Sequence, residues 1–374
     1  MLKTHKIDSL PEFLKLENEW KDLLTQLNEN TPFLSFDWIR LCVEYYGDGK
    51  RLNILTIRDE SKLVGILPLW QVKDVIRHSP IVKLEIINCP DNPFTDFIIS
   101  NKNSAEILSA GFQYFLSEDD GEWDLLHLQA IPENSANAEV LRDILHQHNI
   151  KYFPGYPSVI PYIAIETSWD DFLNTRSRKF RKTRRNINNR IKILDKVEIV
   201  CYTDGQQANL LEDILQVSRK GWKHTEGIAI SSNEQAKGFF ESFIPVAAKH
   251  NWLSVWFVKI NEQPVAMEFD LEYDGKIYAL RADFDGDFKE YSPGAYLEYC
   301  IIKYAFEKNF LEYNTGPGLR DYKLHWTDKM KKSMNLYICN KNLKGRYLWI
   351  FEGFFMPFMR RLKSIIVKDY KITI

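Results

Sequence analysis

Cysteine is scarce and carries no pattern. Cys42, Cys89, Cys201, Cys300 and Cys339 are odd in number, widely spaced and form no C-x-x-C pair. That argues against a disulfide framework or a zinc site and fits a reducing compartment. Histidine is scattered too: His146 and His148 lie near a helix end and read as solvated side chains, so no metal is expected. No apolar run reaches the ~18 residues of a membrane span, and the opening MLKTHKIDSLPEF lacks the apolar core of a signal peptide. A soluble, cytoplasmic protein is expected. Excess charge is missing as well, with Lys+Arg 49 against Asp+Glu 51 and a net charge of −2. This excludes a globally basic nucleic-acid binder and leaves only local patches.

What is present is core-forming material. Hydrophobic residues make up 45% and aromatics 14% of 374 residues, which rules out a disordered chain and suffices for two domains of about 100–200 residues each. Residues 11–27 have a helical pattern, and TPFLSFDWIRLCVEYYG reads as a helix capped by Ser35 or Asp37 and ended by Gly47. RLNILTIRDESKLVGILPLWQV reads as two strands around a polar turn, and WDLLHLQAI as a buried strand between helices over NSAEILSAGFQYFLSE and 138–148. The Pro/Gly-rich YFPGYPSVIPY, residues 152–162, is expected to cross between halves.

A weak repeat supports two halves. LNILTIRDESKLVGILPL and LSVWFVKINEQPVAMEFD each give a strand, a short turn and a second strand, and in both halves a helix and a strand follow. The expected units are 1–155 and 156–340, with a helical extension over 341–374. Only the second unit places a Ser-Pro-Gly step directly between strand and helix, so the chemistry is expected there.

In the hairpin PVAMEFDLEYDGKIYALRAD, Asp274-Gly275 signals a tight turn. If Tyr273 faces Lys276, counting outward pairs Glu268 with Arg281 and Ala266 with Asp283. Glu268, Asp270, Arg281 and Asp283 then share a polar face, which is either solvated or a site; a partly desolvated carboxylate there would act as a general base. Next, Ser292-Pro293-Gly294 opens a helix. The N–H groups of Gly294, Ala295 and Tyr296 would cradle an anion, or the step is simply a turn. NTGPGLRDYKLHW adds a second glycine-rich loop carrying Arg320, Tyr322 and Lys323; Arg and Lys suit phosphate and Tyr suits proton donation.

The helix NTRSRKFRKTRRNINNRIKIL has an apolar stripe at Phe180, Ile187, Ile191 and Leu194. Arg178, Arg181, Arg185 and Lys192 lie on another face, which is either solvated or meets a polyanion. At the C-terminal end, GRYLWIFEGFFMPFMRRLKSIIVKDYK is aromatic and basic, and Glu352 and Pro357 interrupt it. It would pack on a domain or second subunit, or make a peripheral membrane contact.

The ordered set FLSFDWIRLCVEYYG, LVGILPL, SRKFRKTRRN, RKGWK, YSPGAYL and GPGLRDYKLHW resembles the GNAT acyltransferase superfamily. The likeness is to its two-unit CelD/BioF2-like branch, related to the Fem-type aminoacyl transferases. The resemblance implies an α/β (α+β) fold of two tandem GNAT-like units, each a mixed, mainly antiparallel sheet flanked by helices. It implies direct N-acyl transfer, with acetyl-CoA or another acyl-CoA as donor and an amine of an amino sugar or cell-surface polymer precursor as acceptor. A Fem-like enzyme using aminoacyl-tRNA and a non-catalytic binding protein are the alternatives. On this resemblance Asp283 or Glu268 is the base and Tyr322 the acid. Arg281, Ser292, Pro293, Gly294, Ala295, Tyr296, Arg320 and Lys323 bind the donor. Arg178, Lys179, Arg181, Arg185, Trp222 and Lys223 bind substrate. Tyr291 stands where the family's loop carries Arg or Gln.

Overall fold

The computed structural model describes residues 1–27, 29–117 and 123–359. The first half starts with strand β1 (Leu2–Ile7) and helices α1 (Leu10–Lys15), α2 (Glu17–Leu24) and α3 (Phe36–Tyr46). The single helix expected over 11–27 is two, because Leu16 ends one and starts the next. Ser35 caps α3, its hydroxyl accepting the Trp38 N–H at 3.2 Å, while Asp37 instead meets His250 Nε2 at 3.0 Å.

Strands β2 (Arg51–Leu52), β3 (Ile54–Asp59), β4 (Lys62–Leu67), β5 (Leu69–Ile76), β6 (Ser79–Ile86) and β7 (Ile98–Ile99) follow. Helix α4 (Ser104–Leu116), β8 (Leu125–Pro132), α5 (Ala136–Gln147) and β9 (Tyr152–Pro154) complete this half. The second half opens with β10 (Ser158–Ala164), α6 (Trp169–Thr175), α7 (Arg178–Ile191) and β11 (Val197–Tyr202). Helices α8 (Leu210–Lys220), α9 (Trp222–Thr225) and α10 (Glu234–Lys249) lead to β12 (Leu253–Ile260), β13 (Gln263–Tyr273) and β14 (Lys276–Phe284). Last come α11 (Pro293–Glu307), β15 (Glu312–Asn314), α12 (Asp321–Leu324), β16 (Met330–Cys339) and α13 (Leu343–Leu348).

A 12-stranded sheet runs through both halves in the order β11-β12-β13-β14-β15-β10-β16-β8-β6-β5-β2, with β9 on β16. At its centre β10 and β16 pair antiparallel. The sheet contains one parallel pair per half, β6–β8 and β14–β15. A helix links the strands of each pair, α4 in the first and α11 in the second. The repeat read from the sequence is therefore real in space, but the halves differ at Pro68. Without an N–H to give the ladder, it breaks the long strand into β4, in a separate sheet β1-β3-β4-β7, and β5 in the large one. The matching β13 runs 11 residues unbroken. The stretch 152–162 is no free tether, since it forms β9 and the first part of β10.

One core also crosses the halves. Helix α3 packs on α10, and Trp38 meets Phe239 and Phe243 with ring centroids 5.0 and 4.8 Å away. Phe33 joins it to Tyr278 of β14 at 5.4 Å. All five rings belong to one buried cluster. Such coupling predicts a single cooperative unfolding transition. Replacing the fully buried Trp38 with Ala should cost about 3–5 kcal/mol, read by denaturant titration. Two separate transitions in the native protein would show that the halves fold independently.

Candidate functional site

The site is built where two parallel strands part. β14 and β15 pair only over Lys276–Tyr278 and Glu312–Asn314, yet β14 continues to Phe284. After Asn314 the other chain turns away through Thr315 and Gly316. Gly316 has φ +75°, and a Cβ there would stand 2.7 Å from the Ala279 carbonyl oxygen. Glycine is thus required both by conformation and by close approach.

From α12, Lys323 folds back into this fork. Its ammonium donates to the Gly316 and Pro317 carbonyls at 2.9 and 3.0 Å, and the residue is buried. Burial pushes its pKa down to about 8, although Glu268 and Glu298 favour the charge. The Tyr313 hydroxyl donates to Glu268 Oε1, and both are buried. Burial raises the pKa of Glu268, opposed by that bond and by Asp270. The Asp270 carboxyl is pushed well above the usual carboxylate range, first by burial and then by the Glu268 charge.

Sequence reading missed two members of this cluster. Glu298 on α11 is buried, and burial lifts its pKa to about 7 against the opposing Arg184 and Trp326. Arg184 on α7 is buried as well; its Nη1 donates to the Ala295 carbonyl at 3.1 Å and lies 3.6 Å from Glu298 Oε2. It also stacks over Trp326 at 4.6 Å and Phe180 at 5.0 Å. A signal existed for each: Arg184 falls on the Phe180–Ile187–Ile191 stripe, and Glu298 stands between buried Leu297 and Ile301.

The hairpin register corrects the expected polar face. Tyr273 does face Lys276, and pairing holds out to Asp270 and Ala279. There Leu280 bulges, so Arg281 pairs with Phe269, Glu268 with Ala282 and Asp283 with Met267. One extra residue sends every later side chain of β14 to the other face. Arg281 and Asp283 therefore lie opposite Glu268 and Asp270, not beside them. Asp283 Oδ1 is 3.5 Å from Lys223 Nζ, and burial raises its pKa while Lys223 and Arg281 oppose. Arg281 ties to the first half, with Nε 2.5 Å from buried Asp91 Oδ1, while its Nη1 donates to the Ile228 carbonyl of its own half at 2.9 Å.

At the start of α11, Ser292 adopts φ +54° and Pro293 occupies the first turn. The Tyr296 N–H returns to the Ser292 carbonyl at 3.1 Å, which leaves the Gly294 and Ala295 N–H groups as the free donors of the helix start. A Cβ on Gly294 would press the Phe284 ring at 3.3 Å. Arg320 is exposed, and Tyr322 is 52% exposed although desolvation of its hydroxyl raises its pKa. Arg178, Lys179, Arg181 and Arg185 are all exposed on α7, and Arg181 holds Asn174 at 2.8 Å. Trp222 is 47% exposed beside Lys223.

A groove of about 640 Å³ lies between the halves. Its walls include Asn88, Asn92, Gln129, Gln235 and Asn335, and Pro317 closes one side. The Tyr46 hydroxyl and the Asn92 amide nitrogen, also on its walls, are buried with no hydrogen-bond partner in the protein. Pro317 is thus common to the groove and to the Lys323 anchor. Among the described residues, no group of acidic, histidine and cysteine side chains could hold a metal ion.

Residues 181–324 match the family model described as "Acetyltransferase (GNAT) domain". The span runs from within α7 to the end of α12 and so holds the fork and the α11 loop. The fold is similar to FemX, with TM-score 0.61 and 11% identity over 91% of this chain and 98% of that one. It is also similar to the C-terminal domain of a putative lysylphosphatidylglycerol synthetase from Agrobacterium fabrum (TM-score 0.56, 11% identity, 90% and 95% covered). L-PGS from Bacillus licheniformis gives 0.52 at 13% identity, with 89% and 95% covered. No curated protein matches in sequence.

The buried Glu298 carries a pH signature. Its folded pKa of about 7 lies above the ordinary 4.5, so the folded state holds the proton longer and loses stability as pH rises through that window. Glu298→Gln removes the ionisation. Its stability relative to the native protein should improve by up to about 3 kcal/mol between pH 4.5 and 8, read by urea unfolding. A difference that does not change with pH would mean Glu298 ionises without cost.

Proposed function

We propose that this GNAT-fold protein is an N-acyltransferase of Fem-like architecture. In this reading an acyl group, acetyl first, passes from the thioester of an acyl-CoA to an amine of an amino sugar or cell-surface polymer precursor. One observation carries it: the buried Lys323 ammonium sits on the Gly316–Pro317 wall, with the strand fork on one side and the groove on the other. A donor in the fork and an acceptor in the groove would meet at that wall.

The residues divide by side. Toward the donor, the Gly294 and Ala295 N–H groups, with Ser292, Pro293 and Tyr296 shaping the turn, favour a pyrophosphate at the positive end of α11; Arg320 stands nearby on the same loop system as Lys323. Toward the acceptor, amide side chains and the unpartnered Tyr46 and Asn92 atoms suit the hydroxyls of a sugar. The amine nitrogen bonds to the acyl carbon, the carbon–sulfur bond breaks, the amine proton goes to a carboxylate and the leaving thiolate takes a proton from Tyr322. Lys323 holds the negative charge that develops on the carbonyl oxygen. Of the two bases inferred from sequence, Glu268 is on the Lys323 side, whereas Asp283 orients Lys223 from the opposite face. The five free cysteines suit a cytoplasmic setting.

A second donor, aminoacyl-tRNA, is favoured by one feature: exposed Arg178, Lys179, Arg181 and Arg185 form a basic face on α7, the helix that Arg184 ties to the first turn of α11. The full-length fold likeness to FemX and to the lysylphosphatidylglycerol synthetase domain agrees with it. A binding protein without catalysis would leave Glu268 closed by Tyr313, as found, but would have no use for the groove beside Lys323.

Two variants separate the donors. Gly294→Val should weaken acetyl-CoA binding ~10-fold or more by calorimetry, because its side chain forces the helix start against Phe284. Neutralising Arg178, Arg181 and Arg185 should leave that affinity unchanged. Unchanged binding in Gly294→Val would remove the loop from the site. Charged tRNA that shifts in a gel at moderate salt, and fails to do so in the triple variant, would establish the second donor, since phosphate contacts make such binding steeply salt-dependent.

A further inference from the structure

The C-terminal helical segment presents an apolar stripe that no described residue covers. One side is anchored: Leu348 is fully buried, Glu352 pairs with Arg77 at 2.8 Å, and Gly353 packs on Phe153. The other side carries Leu343, Tyr347, Ile350, Phe354 and Phe358 at steps of three and four, each between 44% and 85% exposed. Trp349–Phe355 continue α13 as a π-helix, and the exposure of these five side chains, against the anchored Leu348, Glu352 and Gly353, marks the side turned to solvent. Phe355 adds a 45% exposed ring, and the β5–β6 hairpin that holds Glu352 adds Val75, 65% exposed. Large exposed apolar patches of this kind mark an interaction surface.

Charge selects the occupant. Residues 341–374 contain Lys341, Lys344, Arg346, Arg360, Arg361, Lys363, Lys368 and Lys371 against Glu352 and Asp369. That is 8 − 2 = +6, so with −2 for the whole chain residues 1–340 carry −8. The one acid in the described part is already neutralised by Arg77. Phenylalanine, tyrosine and isoleucine framed by lysine and arginine are the side chains of a helix lying in a membrane interface. Among the described residues no helix is long and apolar enough to cross a membrane, so the geometry suits lying on the surface rather than spanning it. A second copy would bring a segment of the same positive sign against this one, so charge disfavours self-pairing.

We infer that this segment docks the protein on an anionic lipid bilayer, with Tyr347, Ile350, Phe354 and Phe358 inserted among the headgroups. The inference is independent of the donor and acceptor.

The test is sedimentation of the full chain with vesicles of phosphatidylglycerol and phosphatidylcholine, against vesicles of phosphatidylcholine alone. The native protein should pellet with the anionic vesicles and not with the neutral ones. The double variant Phe354→Ser and Phe358→Ser should bind ~10-fold or more weakly, with an unchanged thermal unfolding curve because both rings are exposed. Absence of binding to anionic vesicles overturns the inference, as does equal binding to neutral ones. So does a double variant that binds like the native protein. A concentration-dependent dimer in gel filtration that this variant abolishes would assign the stripe to a second copy and overturn it too.

Discussion

A single buried ammonium organises the second half of this protein. Lys323 spends two of its hydrogens on the Gly316 and Pro317 carbonyls, and in doing so pins the loop that makes β14 and β15 part. A cation taken from water is expensive unless charge and hydrogen bonds surround it. Around Lys323 the compensation comes from Glu268 and Glu298, whose charges act on it. The same burial that lowers the lysine's pKa raises those of the carboxylates. Lys323 at about 8 and Glu298 at about 7 thus hold their protons loosely near neutral pH.

The fork could not hold its shape on three paired residues alone. Arg184 braces it from outside by joining α7, the first turn of α11 and Glu298, while its flat guanidinium lies against Trp326. Arg281 braces it from the first half through Asp91. The shared sheet and the Trp38 cluster then make the first half a wall of the groove as well as a structural partner. The first half thus supplies Asn88, Asn92 and Gln129 to the surface that faces Pro317.

Much of this was legible in the sequence, and the failures have physical causes. The α7 stripe, the Asp274-Gly275 turn, the break before α11 and the paired strands follow from periodicity and turn chemistry, which are local. The bulge at Leu280 is not local. Counting outward from a correct turn gave the wrong partners beyond Asp270, because one inserted residue reverses all later side chains of a strand. Arg184 sat in plain view within a basic run, but a count of charges does not say which one turns inward. Glu298 was hidden by the apolar helix around it. Asp91 had no signal, since its partner lies 190 residues away.

The central claim is that the Lys323 ammonium stabilises charge formed during acyl transfer, rather than only fastening a loop. Single-turnover transfer from saturating acetyl-CoA to an amino-sugar acceptor tests it most directly, comparing the native protein with Lys323→Met. The account predicts a rate at least ~100-fold lower in the variant when both proteins are folded and saturated with acetyl-CoA, although loss of the loop's anchor lowers the variant's thermal unfolding midpoint. Equal rates in the two proteins would contradict it.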